Sequence, residues 1–489
     1  MLVDLNFNMP RFHRFIIIAL VLKASCIQGQ SKLEQNQKLR EHQYQVHFDN
    51  HLRTASVEIC FAGSPPEYLA VDYKRSNRNL IDLPKSSAGR IEILGRYWKT
   101  ANLRMNSCIN YAVDISEHLT QVKQSDSPLI SFQRDNTWLW LPEKLGEDES
   151  VVIHFQVPSN FELSVPWQKV NKQEHRYRIS RAPIDWGFTL IAGNFRKSQI
   201  NMSEEKTIEL AFLGDVKQVE ALTHWISNTA QSLASYMGKF PVAKTQVVLI
   251  ESQRPTRGPV PWGEVNRGGG FGLRFVIDSN KSIESFHTDW TASHEFSHLL
   301  FPKVSYQDLW LSEGLASYLQ YLLMAREGSI SKQSAWQSLY EGLERGRRGA
   351  LNLGKETFAE TLNNRRKSSW RSGRTMRIYW SGAAMFLKID WMLLKQSDGQ
   401  VGLNTVLRRF NECCSDNAKA WQGAALMQKF DELAGTKLFE PLYLQTLNNS
   451  SFPDFIEPLA GLGIDIEDGR VTLKPDSLAS FRGQIDSAN

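Results

Sequence analysis

Near residue 206 the sequence changes its hydrophobic period, and that change limits the chain to a fold with a sheet-rich front and a helical back. From residue 31 to about 200, apolar and polar residues alternate in short runs. Examples are YQVHF, ASVEICF, RIEILGRYW, TWLWLP and VVIHFQV, broken by Gly, Pro, Asn and Ser. Successive side chains of a strand point to opposite faces, so such alternation marks half-buried strands. From Lys206 the text mixes strands (KTIELAFLGD, KTQVVLIES) with one helical stretch, VEALTHWISNTAQSLASYMGKF. A glycine-rich loop, GPVPWGEVNRGGGF, then feeds a further strand. After Ile283 apolar residues recur at helical spacing, which predicts helices over 286–301, 307–326, 331–347, 377–396, 401–412, 418–432 and 436–446. GLGIDIEDGRVTLKPD, near the end, reads as a short β tail.

With 489 residues the chain has room for two or three domains. The expected class is α+β. The reading is a leader over 1–29, a β domain over 30–204, a second domain over 205–410, and a helical segment with the β tail over 411–489. A hydrophobic fraction of 42% and a charged fraction of 22% are those of a packed globular protein. The net charge of +5 is small for this length and gives no support to nucleic-acid binding. Basic residues gather at Arg345–Arg348 and across 363–374, where a solvated surface is the expected explanation.

MPRFHRFIIIALVLKASCIQGQ, which begins at Met9, has a basic start, an apolar run from Phe15 to Leu22 and small residues after it. This is the pattern of a secretory signal peptide with cleavage between Cys26 and Gln30, so the expected location is periplasmic or secreted. Lys23, three positions before Cys26, argues against a lipid anchor there. No later stretch is apolar for long enough to suggest an integral membrane span. Export also implies an oxidising compartment, where disulfides persist. Cys60 and Cys108 both lie in strand text and are expected to pair. Cys413 and Cys414 are adjacent, and the sequence leaves open whether they are bonded or free thiols. There is no Cys-x-x-Cys, so thiolate metal binding has no support.

HEFSH, residues 294 to 298, lies within FHTDWTASHEFSHLLF, whose apolar residues have helical spacing. Residues four apart share a helix face, so His294 and His298 can aim at one point. Glu295 then lies close enough to take a proton from a water held there, as in zinc peptidases that carry this pattern. A catalytic zinc ion needs a third protein ligand. Glu313 supplies a candidate, because it interrupts the apolar stripe of YQDLWLSEGLASYLQYLLMAREG, where an unpaired carboxylate is costly. Only a short loop separates the two helices, which should bring Glu313 back to the histidines.

HEFSH followed by LWLSEGLASY resembles the gluzincin metallopeptidases, first the glycyl-aminopeptidase-like family and more distantly aminopeptidase N and its relatives. RIYWSGAAMFLKIDWMLLKQSDG resembles the same family's text around a tyrosine shortly before a glycine. The resemblance covers about residues 205 to 465. It implies an N-terminal β-sandwich, then a thermolysin-like catalytic domain with a small sheet and a mainly helical half. It also implies one zinc ion on His294, His298 and Glu313, Glu295 as general base, and Tyr379 as donor to the oxyanion. Glu264 would bind the amine of a peptide substrate, and Gly268, Gly269 and Gly270 would let a peptide backbone approach. Arg371, Arg374 and Arg377 are read as solvated loop. Two departures stand out. Only fourteen residues separate His298 from Glu313, fewer than is usual in the related families, and Ser381 stands where a lysine is usual. The implied activity is that of an aminopeptidase. An endopeptidase on the same site and a silent peptide-binding scaffold remain open, as does the oligomeric state.

Overall fold

In the computed structural model of the chain, the residues described are 39–72, 75–119, 129–133, 136–171, 175–179, 187–364, 373–415, 420–475 and 478–487. The leader expected over 1–29 and Arg371 lie outside them.

The alternating runs of the N-terminal part form a seven-stranded sheet faced by two smaller ones. Arg40–Phe48 lies inside the large sheet, antiparallel to Thr54–Cys60 and parallel to Glu149–Gln156. The inward residues of these strands, among them Tyr44, Val46, Val57, Ile59 and Ile153, are almost wholly buried with Trp98, Trp138, Trp140 and Trp167. Cys60 sits directly opposite Cys108 on the neighbouring strand, and the two are joined by a disulfide. TWLWLP is less regular than its alternation predicts. Only Leu141–Pro142 pairs as strand, because the tryptophans are spent on the core.

A five-stranded sheet follows, in the order Arg196–Asn201, Thr207–Leu213, Lys244–Glu251, Phe271–Ile277 and Trp262–Asn266. Its first strand lies before residue 205, where the sequence places the boundary. Arg196–Asn201 pairs with Thr207–Leu213 as a hairpin, and alternation alone cannot say which sheet a strand joins. The central strands are covered on both faces, which is why IELAFL and QVVLI read as continuous apolar text. Leu210, Phe212, Val247 and Leu249 meet the helices, while Ala211, Leu213 and Val248 meet Ile130 and Ile191 of a small three-stranded sheet.

The helical half shares one core with that sheet, running from Ile200 to Ile485. Helices Thr291–Ser297, Leu309–Glu327, Lys332–Leu351 and Gly373–Gln396 hold its centre. Gly423–Ala434, Phe439–Asn448 and Ile456–Gly461 close its far side. The β tail is a hairpin, Ile464–Glu467 with Arg470–Leu473. A last helix, Ala479–Asp486, follows it, beyond the β tail that the sequence pattern marks. Cys413 and Cys414, left open by the sequence, are joined to each other. No helix among the described residues is long and apolar enough to cross a membrane.

Candidate metal centre

HEFSH begins in helix Thr291–Ser297 and ends in the 3-10 turn His298–Leu300, with both histidines buried. Asp289 accepts from the Thr291 amide at 2.9 Å and fixes the start. Phe301 is extended and Pro302 follows, so the helix stops there. The connection to the next helix is short, as expected, and it is tied down. The Ser305 amide donates to the Trp421 carbonyl at 2.8 Å, and the Trp421 amide to Lys303 at 2.9 Å. Asp308 accepts from the Gly423 amide and the Tyr443 hydroxyl, each at 2.8 Å. Leu309–Glu327 then runs back past the histidines.

This return places Glu313 Oε2 at 3.3 Å from His294 Nε2 and 3.7 Å from His298 Nε2. One donor atom from each of the three residues lies within 4.8 Å of the others. Bonds of about 2.0–2.2 Å to zinc put neighbouring ligand atoms roughly 3–4 Å apart, so the donor set fits this ion. The second nitrogen of each ring is also held. His294 Nδ1 lies 2.8 Å from Gln320 Oε1, and His298 Nδ1 lies 2.9 Å from Ser312 Oγ. An amide oxygen only accepts, so His294 Nδ1 carries a proton, and Nε2 is the atom that would face a bound cation. Neither Ser312 nor Gln320 was singled out in the sequence. The signal was available, since Ser312 precedes Glu313 and Gln320 follows it by two helical turns on the same face.

Burial pushes the His298 imidazole down to about 3, so the ring is neutral, as a ligand must be. Burial acts the same way on His294, but its hydrogen bond to Glu313 and the charges of Glu295 and Glu313 raise it overall. Glu313 is held below its usual value by His298, His294 and Tyr379, against burial. Glu295 is only 8% exposed, and burial pushes its carboxyl up to about 7. Glu313 and Glu264 add to that rise, while His294 and Arg267 oppose it. A divalent cation at the three ligands would draw it down again.

Tyr379 lies over His294, rings stacked at 6.4 Å, and hydrogen-bonds Glu313. Two glycines bring it there. A Cβ on Gly314 would collide with Gly382, and one on Gly382 would lie 2.6 Å from the Trp310 carbonyl. Helices Leu309–Glu327 and Gly373–Gln396 therefore cross backbone to backbone, one residue after Glu313 and three after Tyr379.

Glu264 lies on the edge strand Trp262–Asn266, near enough to Glu295 to act on its charge. It is already ion-paired with Arg274, whose guanidinium lies over the rings of Trp262, at 5.0 Å, and Phe132, at 5.5 Å. The expected glycines face elsewhere. The Gly268 amide donates to the Gly187 carbonyl, Trp167 Nε1 donates to the Gly268 carbonyl, and Gly270 packs on Pro166. The glycine that does meet the centre is Gly263, where a Cβ would lie 2.8 Å from Glu295 Cγ. Arg374 and Arg377 are helical rather than loop. Arg374 pairs with Glu356. Arg377 is wholly buried and donates to the carbonyls of Glu356 and Ser450, at 2.7 and 2.8 Å.

No protein-family model matches the sequence, and no curated protein does. Solved structures do match. An aminopeptidase N family protein from Idiomarina loihiensis is 16% identical with a TM-score of 0.62, over 87% of this chain and 79% of that one. An M1 zinc metallopeptidase from Deinococcus radiodurans is 13% identical with a TM-score of 0.50, over 85% of this chain and 95% of that one. Likeness at such identities is likeness of fold, and the chain has the α+β fold of the aminopeptidase N-like zinc metallopeptidases.

Proposed function

We propose that the protein is a zinc-dependent metallopeptidase, and that it acts as an aminopeptidase on exported or imported peptides. The observation that carries this is the convergence of His294, His298 and Glu313 beside the buried carboxyl of Glu295. Zinc held by these three residues supplies Lewis acidity, lowering the pKa of water and polarising a carbonyl. Glu295 accepts the proton of the attacking water and returns it to the leaving amine. The Tyr379 hydroxyl donates to the oxyanion as charge develops there.

Glu264, on the edge strand at the centre, is the candidate partner for a substrate's free amine. Its pairing with Arg274 supports a second reading. A carboxylate already compensated by a guanidinium grips an ammonium less firmly, and peptides with blocked amines then become substrates too. The basic-then-apolar stretch from Met9 and the Cys60–Cys108 disulfide support export to the periplasm or beyond.

The test is zinc content and cleavage, measured on wild type and Glu313→Ala with free-amine and acetylated peptides. One zinc per chain, lost in the variant together with cleavage of free-amine substrates, is expected. Equal cleavage of acetylated peptides would favour the endopeptidase. A wild type that binds no added zinc and cleaves nothing would leave the peptide-binding scaffold.

A further inference from the structure

Arg267 follows the edge strand and is buried, 9% exposed. Its guanidinium donates to the carbonyl of His298 and, at 3.2 Å, to that of Phe301. These carbonyls lie at the end of the HEFSH helix, where backbone acceptors run short of partners, and His298 shares its carbonyl between this guanidinium and the Phe301 amide at 3.3 Å. A cation at this end also offsets the helix dipole. Glu295 and Glu313 are close enough to act on its charge. One side chain thus holds the backbone of one ligand and lies in the field of both carboxylates.

The next residues are held by the other domain. Gly268 exchanges hydrogen bonds with Gly187 and Trp167, at 3.1 and 2.8 Å, and Gly270 packs on the Pro166 carbonyl. Trp167 is itself fixed, wholly buried with its ring against Phe188 at 4.7 Å and stacked on Phe155 at 6.2 Å.

We propose that the Arg267–Gly270 turn is the device by which the N-terminal β domain sets the metal affinity of the His294–His298–Glu313 centre, with Arg267 as the positioning residue. This rests on the zinc reading above. His298 stands in the last turn, the part of a helix that frays most readily. Holding its carbonyl limits the excursions of its ring, and the interdomain contact limits those of Arg267. Without the guanidinium the ligand spends less time in register with His294 and Glu313.

The test is the zinc dissociation constant of apo-protein, by competition with a chromophoric chelator, with near-UV circular dichroism as the check on folding. Arg267→Met is expected to bind zinc about 10- to 100-fold more weakly, the range for losing a group that orients a ligand. Arg267→Lys should recover much of the loss, because an ammonium still donates to the carbonyls. Trp167→Phe, which touches neither ligand nor Arg267, should fall between Arg267→Met and wild type. The double variant Cys60→Ser, Cys108→Ser loses stability with the turn intact and should bind as wild type does. That control separates positioning from general destabilisation. Wild-type affinity in Arg267→Met would overturn the proposal alone. If Arg267→Met does not fold, wild-type affinity in both Arg267→Lys and Trp167→Phe overturns it, and weakened binding in either supports it. A wild type that binds no zinc would overturn this proposal and the zinc reading together.

Discussion

Gly263→Ala adds one methyl group, and its effect can be worked from the contacts. The new Cβ would lie 2.8 Å from Glu295 Cγ, 3.0 Å from Thr291 Cγ2 and 3.1 Å from Phe275 Cδ1. Carbon atoms in contact prefer about 3.5–4.0 Å, so the closest approach falls short by roughly 0.7 Å. Glu295 cannot yield cheaply, since its helix, Thr291–Ser297, is buried along its whole length. Gly263 does not have a positive φ, so the effect is one of space rather than backbone strain. Overpacking of this kind costs about 1–3 kcal/mol. At about 2–4 °C per kcal/mol, Tm should fall by roughly 2–12 °C. Displacing a catalytic group by about 1 Å costs roughly 100-fold in rate, so kcat should drop by one to two orders of magnitude. Zinc content should not change, because His294, His298 and Glu313 are not among the colliding atoms. The assay is kcat, zinc content and Tm for wild type, Gly263→Ala and Gly272→Ala. Gly272 is the matched control, since its Cβ would come no nearer than 3.3 Å to Gln246 Oε1. Activity in Gly263→Ala within about threefold of wild type, a small fraction of the loss derived from the 1 Å rule, would refute the placement of Glu295 as base against this strand.

Tyr379→Phe should lower kcat about 100- to 1,000-fold, the range for one lost oxyanion donor, while zinc content and Tm hold. Gly382→Ala should lower Tm and activity together, because the added Cβ forces apart the two helices that carry Glu313 and Tyr379. Asp390 is buried and accepts from the Leu403 amide at 2.7 Å and the Tyr318 hydroxyl at 2.9 Å. Burial still pushes it up from 3.8 to about 6. The folded protein therefore holds this proton more tightly, and stability falls by about 2 kcal/mol as pH rises from 4 to 6. Asp390→Asn should remove that part of the slope in denaturant melts taken across this range. Removing Cys60–Cys108, which spans 48 residues, should cost about 2–5 kcal/mol. Removing Cys413–Cys414 should leave Tm almost unchanged, because that pair encloses almost no chain.

What the sequence determined by itself is what a local pattern can carry. The change of period placed a sheet-rich half before a helical half. Four-residue spacing put His294 and His298 on one helix face, and a carboxylate in an apolar stripe marked Glu313. The strand text around Cys60 and Cys108 pointed to their pairing. Tertiary structure decided what depends on approach between distant segments. Glycine-rich text drew attention to Gly268–Gly270, yet Gly268 and Gly270 meet Pro166, Trp167 and Gly187, and the solitary Gly263 meets Glu295. Arg374 and Arg377 looked like solvated loop, but Arg377 is a buried clamp on backbone carbonyls that no local pattern marks. Arg196–Asn201 alternates like the strands before it but pairs with the sheet after it. Periodicity tells which way a side chain points, not what stands opposite. The partners of His294, His298 and Arg267 are fixed by helix crossings and contacts between distant segments, and only the folded chain brings them together.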